Sequence, residues 1–418
     1  MEFPRILIIN GEPLSTMTAS GITMRNLFGD WPPDALATIH ASNLHPDFTH
    51  CRKVWRLKKF DVCGYSSGGI QKIEISTEAL RTMRGVPRNS WKRVISREIT
   101  SMLDCLPYSL TPALRRWIDA FAPEAIYTMG ANIRIMKLCN QVARQYGIPI
   151  IPHFMDNWPA TAYMAQYEII QRFLLERQLN RLLSNSPVCF TISPEMSVDY
   201  SRKWQKPCRN FMNCTELQKY SEPMNASCNS LQLFYIGGLH LNRWTVLKEV
   251  ADIIGKQTEL SSRFSLTIFA PQKDWLLFGD TLKASGITFG GELTEQEIFP
   301  KMQAGDILLH VESSDQKNTN YTRLSISTKL VQYFMAGRAI LGIGPENLAS
   351  MCEIRRSEGG TTIQNMQELP KVLMQFLKDE DRHILGIKAY QYAIRTHAAP
   401  IVRDHFRQTI FKMINSGK

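Results

Sequence analysis

No apolar run in the sequence approaches the roughly 18 residues that cross a bilayer, which excludes an ordinary membrane-spanning helix. The start, Met1-Glu2-Phe3-Pro4-Arg5, runs straight into a short apolar stretch and lacks the cleavage pattern of a signal peptide. The expected address is therefore cytoplasmic. Nine cysteines are dispersed from Cys51 to Cys352 with no close pair resembling a metal-ligand set, so neither a disulfide scaffold nor a zinc module is expected. There is no Gly-x-Gly-x-x-Gly string, no zinc-finger, RRM or KH signature, no low-complexity tract and no residue-level repeat. These absences weigh against NAD binding and nucleic-acid recognition.

What is present is an ordinary globular composition, 44% hydrophobic and 21% charged, in a chain of 418 residues. That length exceeds one core, so two domains are expected. The net charge of +11 favours partners that carry phosphate. Much of it falls in one stretch: Arg52, Lys53, Arg56, Lys58 and Lys59, then Arg81, Arg84, Arg88, Lys92, Arg93 and Arg97, with Trp55 and Trp91 among them. Any single one reads as a solvated surface residue. As a cluster they predict a patch for an anionic membrane surface, with tryptophan seated at the interface.

Short apolar strands alternate with longer helical segments, the pattern of a parallel-sheet α/β fold. Strands are expected at 5–10, 36–42, 125–130, 148–154 and 188–193, with helical stretches such as 131–146 and 161–184 between them. A second series follows at 231–237, 264–270, 287–290, 306–312 and 339–343. A polar stretch at 212–230 joins the two. This predicts two doubly wound domains, 1–212 and 213–396, with a terminal helix, 397–418, that packs back on the first. In open parallel sheets, ligands bind at the carboxyl ends of the strands.

Four segments at such ends could carry chemistry. In the first, Ser327 reads as a helix N-cap, Leu330 and Phe334 share a buried face, and Gly337 supplies the left-handed stop. A helix N-terminus binds phosphate readily, and Lys329 adds a full charge in its first turn. The second, Tyr235-Ile236-Gly237-Gly238-Leu239-His240-Leu241-Asn242-Arg243, ends a strand in paired glycines that let a ligand approach the backbone. The third is the loop from Gly11 to Ser20 and Gly21, where small polar residues suit close contact. The fourth is His153-Phe154-Met155-Asp156-Asn157-Trp158, whose polar side chains are expected to face a ligand. Asp379-Glu380-Asp381 matches a manganese-binding string of another fold, but it follows no strand and reads as an exposed helix start. His310, alternating with apolar neighbours, reads equally as a core residue or a sugar contact.

Together these segments resemble glycosyltransferase family 4, enzymes of the GT-B fold. That fold has two facing Rossmann-like, doubly wound domains and a C-terminal helix crossing back. The marks are Gly237-Gly238-Leu239 with Arg243, then Phe289-Gly290-Gly291 with Ala304-Gly305-Asp306, then Thr328-Lys329 running to Ala336-Gly337. The resemblance implies that Arg243 and Lys329 hold the diphosphate of a nucleotide sugar, with Ser327 and Thr328 at the helix tip. It places a ribose-binding glutamate where this chain has Gln332. A second family glutamate falls on Leu324, with Glu312 as its substitute. Base contacts are expected from around Ala270-Pro271 and from Gly291 to Leu293.

The implied activity is retaining, hexosyl-type and metal-independent, in surface polysaccharide biosynthesis. The donor is a UDP- or GDP-sugar and the acceptor a glycan or lipid-linked glycan. The cationic groups would stabilise the departing diphosphate, while Asp156, with Gly11, Ser20, Gly21 and His153, would serve the acceptor. Two alternatives stay open. One is a sugar-nucleotide epimerase of similar two-domain fold. The other is a non-catalytic sugar-nucleotide-binding subunit, which Gln332 keeps in play.

Overall fold

The computed structural model describes residues 3–57, 68–71, 106, 109–164, 168–222 and 230–415. The chain divides into two compact units, Met1–Phe211 with Arg403–Lys418, and Met212–Val402.

In the first unit the strands are β1 (Ile6–Asn10), β2 (Leu36–His40), β3 (Lys53–Arg56), β4 (Gly69–Ile70), β5 (Ala125–Thr128), β6 (Ile150–Phe154), β7 (Cys189–Thr191) and β8 (Cys208–Asn210). They form one sheet in the order β4-β3-β2-β1-β5-β6-β7-β8. All described pairings are parallel except β3 with β4. Residues of β1, β2, β5 and β6 are buried throughout, as expected for strands covered by helices on both faces. The helix Ile133–Tyr146 shows how local chemistry sets the elements. Asn132 accepts from the amides of Arg134 (2.8 Å) and Ile135 (3.3 Å) to cap it, and Gly147 at φ 63° stops it. Ile135, Cys139 and Val142, at helical spacing, form its buried face.

The last helix, Ala399–Asn415, brings Phe406 into this unit with no exposed surface. Its ring meets Phe28 (5.1 Å), Phe211 (5.2 Å) and Phe190 (5.5 Å). Arg403 Nε donates to the Asn26 carbonyl at 2.7 Å, covering the end of the helix Ala19–Leu27.

The second unit contains β9 (Leu231–Ile236), β10 (Phe264–Phe269), β11 (Thr288–Gly291), β12 (Ile307–Val311), β13 (Ala339–Ile343) and β14 (Gly360–Ile363). Its sheet runs β11-β10-β9-β12-β13-β14, all parallel among the described residues. Leu233, Ile268, Leu309 and Leu341, one from each central strand, sit in a single buried cluster. The chain leaves β9 towards β10 on one side and returns through β12 on the other. The carboxyl ends of β9 and β12 therefore flank the point where strand order reverses, the usual ligand crevice of such sheets.

Three expectations need correction. The helical stretch 161–184 is two helices, Trp158–Thr161 and Ile169–Ser184, because Tyr163 takes a left-handed conformation (φ 54°). β3, β4, β8 and β14 are strands that hydrophobic patterning missed. Trp55 is no interfacial anchor: it is 5% exposed, with its ring 5.7 Å from Trp117. Lys58, Lys59, Arg81, Arg84, Arg88, Trp91, Lys92, Arg93 and Arg97 lie outside the described residues.

Candidate functional site

The loop after β9 is built by buried polar side chains. The Tyr235 hydroxyl donates to the Gly238 carbonyl at 2.6 Å, and Asp274 Oδ2 accepts from the Leu239 amide at 2.8 Å. A Cβ on Gly238 would lie 2.5 Å from His240 Nδ1, so a larger residue here would displace that ring. Leu241 and Asn242 both adopt the left-handed region, φ 59° and 58°. For residues with a Cβ, and for leucine above all, this costs on the order of 1 kcal/mol each. The Asn242 amide group donates to Asp315 Oδ2 at 3.0 Å, which pins the turn to the segment after β12. The outcome is that Arg243 enters as the first residue of the helix Arg243–Lys256.

At the end of β12, Glu312 receives two N–H donors of that arginine. Arg243 Nη2 donates to Oε1 at 2.7 Å and Nε to Oε2 at 3.3 Å, with side chains 15% and 4% exposed. Burial pulls the guanidinium pKa down, but the Glu312 carboxylate outweighs it and the net shift is upward. Arg243 is a permanent cation. The Tyr333 hydroxyl accepts from the Ile236 amide at 3.0 Å and donates to the Leu309 carbonyl at 3.4 Å, bridging β9 and β12. Burial pushes the phenol of Tyr235 up to about 12 and that of Tyr333 higher still, so both stay neutral.

The helix Thr328–Ala336 starts beside this pair. Ser327 holds the N-cap position, yet its side chain makes no cap hydrogen bond, and no acid occupies the first turn. The sequence expectation of a capping serine is corrected to that extent: the tip offers its amides without a side-chain acceptor. Lys329 is half-buried in that turn. Its pKa is lowered, first by burial and then by the Arg243 charge, which places the two cations in one electrostatic neighbourhood. No ion pair of Lys329 occurs among the described residues. Gln332 follows one turn on, half-buried, and Leu293 is half-buried after β11. Leu324 is a core residue, 3% exposed, so the carboxylate near this helix is Glu312. Arg243, paired with Glu312, and Lys329 at an uncapped helix tip thus share one neighbourhood, two cations to one carboxylate. The balance favours an anion.

The expected acceptor-side residues all lie in the first unit and fare differently. Gly11 is exposed. Ser20 and Gly21 are not loop residues but the first turn of the helix Ala19–Leu27, capped by the Thr18 hydroxyl on the Gly21 amide at 3.1 Å. A Cβ on Gly21 would meet the Ser15 carbonyl at 2.8 Å, so packing explains this glycine. The Ser20 hydroxyl donates to Glu12 at 2.7 Å. Asp156 is half-buried and its Oδ1 accepts from the Trp158 amide at 3.2 Å, shaping the turn after β6. His153 does not face a ligand: it is fully buried, with Nδ1 2.6 Å from the Tyr127 hydroxyl and its ring against Phe190. Burial pushes its pKa down to about 3, leaving it neutral.

Sequence reasoning missed Asp274, Tyr333 and Asp315. Asp274 had one signal, an acid in the first turn of the helix Gln272–Ala284, and Asp315 another, an N-cap before Gln316–Thr322. Tyr333 reads only as a core residue. His310 is 6% exposed and its Nε2 has no hydrogen-bond partner, lying 3.5 Å from Glu312 Oε1. Among the described residues no cluster of three or more His, Cys, Asp or Glu could hold a metal ion, and no helix is long and apolar enough to cross a membrane.

No family model matches the sequence, and no curated protein matches it. Solved structures do resemble it. Sucrose-phosphate synthase from Thermosynechococcus elongatus superposes with a TM-score of 0.64 at 12% identity, covering 99% of this chain and 100% of that one. HepE from Anabaena, solved in complex with UDP-glucose, gives 0.62 at 10% identity, over 97% and 99%. The α,α-trehalose-phosphate synthase (UDP-forming) of Burkholderia vietnamiensis gives 0.60 at 8% identity, over 100% and 99%.

The chain has the GT-B fold. At such low identity the likeness establishes architecture, and chemistry must be argued from this chain's own residues.

Proposed function

We propose that this protein is a glycosyltransferase that moves a sugar from a nucleotide diphosphate to a hydroxyl of a glycan or lipid-linked glycan. The observation that carries the reading is the convergence of Arg243, Lys329 and the uncapped tip of Thr328–Ala336 at the β9–β12 switch point. Breaking a sugar–phosphate bond builds negative charge on the departing diphosphate. Fixed cations and amides, held in place before the reaction, stabilise that charge without a metal. HepE binds UDP-glucose in its solved complex, and WaaG, another structural neighbour (TM-score 0.51), is a glycosyltransferase involved in lipopolysaccharide biosynthesis. Both are consistent with a UDP- or GDP-sugar donor and a role in surface polysaccharide assembly. Retention of anomeric configuration is implied by the resemblance to family 4.

The test is incubation with UDP- and GDP-sugars, with and without a membrane-extracted lipid-linked glycan, followed by mass analysis of products. The reading predicts a glycan heavier by one hexose, formed equally in excess EDTA. A new nucleotide sugar without acceptor would instead identify an epimerase, and a strict manganese requirement would overturn the metal-free mechanism. A second reading, binding without turnover, is favoured by Gln332, which cannot give the charge-assisted ribose contact of a glutamate. It predicts donor binding with no product in any arm.

An acceptor at a membrane face has support within the first unit. The helix Ile169–Ser184 leaves Ile169, Ile170 and Phe173 62–72% exposed, with Met164 at 65% just before it. Arg177 and Arg181 follow on the exposed side and, with Phe173 and Glu176, line an open surface depression. Apolar residues for the acyl boundary thus lie next to cations for anionic headgroups. Ile170→Glu with Phe173→Glu should abolish co-sedimentation with phosphatidylglycerol vesicles. Unchanged sedimentation would remove the membrane from the proposal.

A further inference from the structure

His310 is a buried polar group next to the candidate site that the proposed reaction leaves without a task. It stands on β12 two residues before Glu312, beside Gly342 on β13, with its Nε2 unpartnered. A polar atom buried in this way is costly unless some state of the protein satisfies it. The nearest candidate is Glu312 Oε1, 3.5 Å away, but that oxygen already accepts the 2.7 Å bond from Arg243. One carboxylate therefore lies between two nitrogen bases and serves one of them.

We propose that Glu312 is a transferable counter-ion: it pairs with Arg243, and passes to His310 when a nucleotide-sugar diphosphate takes the guanidinium. His310 then accepts a proton from solvent, and the imidazolium Nε2–H donates to the freed carboxylate. No other bond changes. The inference rests on the diphosphate reading of Arg243 and assigns positioning roles to Glu312 and His310.

The electrostatics have the right sign. With Glu312 on Arg243 the imidazole pKa is pushed down to about 4, first by burial; the Glu312 carboxylate opposes that shift and the Arg243 charge adds to it. A bound diphosphate cancels the Arg243 charge and leaves the Glu312 charge uncompensated, and both changes favour the imidazolium. Among the described residues, the other charged or titratable groups around the cluster are Lys329, Tyr235, Tyr333, His240, Asp274, Lys273 and Asp315. The two phenols stay neutral across the acid range. Lys329, with its pKa only lowered from an alkaline value, would add proton uptake on the alkaline side. The imidazole of His240 has its pKa lowered by partial desolvation and by the Arg243 charge, and among the described residues of this cluster it is the competitor for a proton in the same pH range.

The test is titration calorimetry of the full chain with UDP-glucose and GDP-mannose in buffers of differing ionisation enthalpy, between about pH 7.5 and 5.5. The diphosphate of these ligands exchanges no proton there. The expected result is net proton uptake that grows as pH falls, approaching one per site. It should be lost in His310→Gln and in Glu312→Gln and kept in His240→Gln. Binding without uptake, uptake that survives His310→Gln, or uptake lost in His240→Gln would each overturn the transfer and leave the diphosphate site standing. Absence of binding by either ligand at every pH would overturn the diphosphate reading itself, and this inference with it.

Discussion

Lys329→Ala and Arg243→Ala are each expected to lower kcat/KM for the donor by about 10²–10³, the usual loss when one fixed charge is removed from a developing anion. The two differ in what they leave behind. Lys329 has no ion pair among the described residues and is half-buried, so its removal should leave the fold intact. Arg243 is the partner of a carboxylate only 4% exposed, and truncating one member of a buried pair typically costs about 3–5 kcal/mol. Arg243→Ala should therefore lose stability as well as turnover. Arg243→Lys should recover more of the stability than of the activity, because one ammonium can neutralise Glu312 but lacks the further planar N–H donors a guanidinium has left for a diphosphate. Steady-state kinetics alongside thermal melts separates the effects. Full turnover in both alanine variants would remove the diphosphate assignment.

Phe406→Ala should destabilise the first unit by about 3–5 kcal/mol, the range for emptying a buried aromatic position. The ring has no exposed surface and meets Phe28, Phe190 and Phe211 at 5.1–5.5 Å, so no neighbour can readily collapse into the space. Residues from three separate stretches of chain meet there. Denaturant unfolding followed by tryptophan fluorescence would report the loss through Trp31, whose ring lies 6.0 Å from Phe406. A change below about 1 kcal/mol would mean that the final helix is an accessory to this core.

The strands legible in the sequence are those buried on both faces. Ala339–Ile343 is an unbroken apolar run in the sheet interior, and its limits were read without error. The missed strands lie at or near sheet edges, where burial on one face leaves no continuous pattern: Lys53–Arg56 begins and ends in cations, and Gly360–Ile363 is two threonines between a glycine and an isoleucine. The site divides in the same way. Arg243 and Lys329 announce themselves through local signals, paired glycines before a helix and a serine before a lysine. Glu312 carries no local signal and enters the sequence reading only through the family resemblance, since it is 69 positions from Arg243 and the β9–β12 pairing brings it close. Asp274, 35 positions from the Leu239 amide it holds, was hidden for the same reason. The left-handed Leu241 was illegible on different grounds: leucine disfavours that conformation, and tertiary contacts impose it. A polar residue at a strand end suggests an outward side chain, whereas His153 turns inward and Tyr127 partners its Nδ1.

One measurement bears most directly on the central claim, that Arg243, Lys329 and the tip of Thr328–Ala336 form a diphosphate site. It is a thermal-shift panel of UDP-, GDP-, ADP- and CMP-sugars on the wild-type chain and on Lys329→Ala. At a ligand concentration about 100 times Kd, binding to the folded state adds about 2.7 kcal/mol, a rise of several degrees in a unit of this size. The account predicts that rise for at least one nucleotide diphosphate sugar in the wild type and its loss in Lys329→Ala. No shift with any of the four, or an equal shift in the variant, would contradict it.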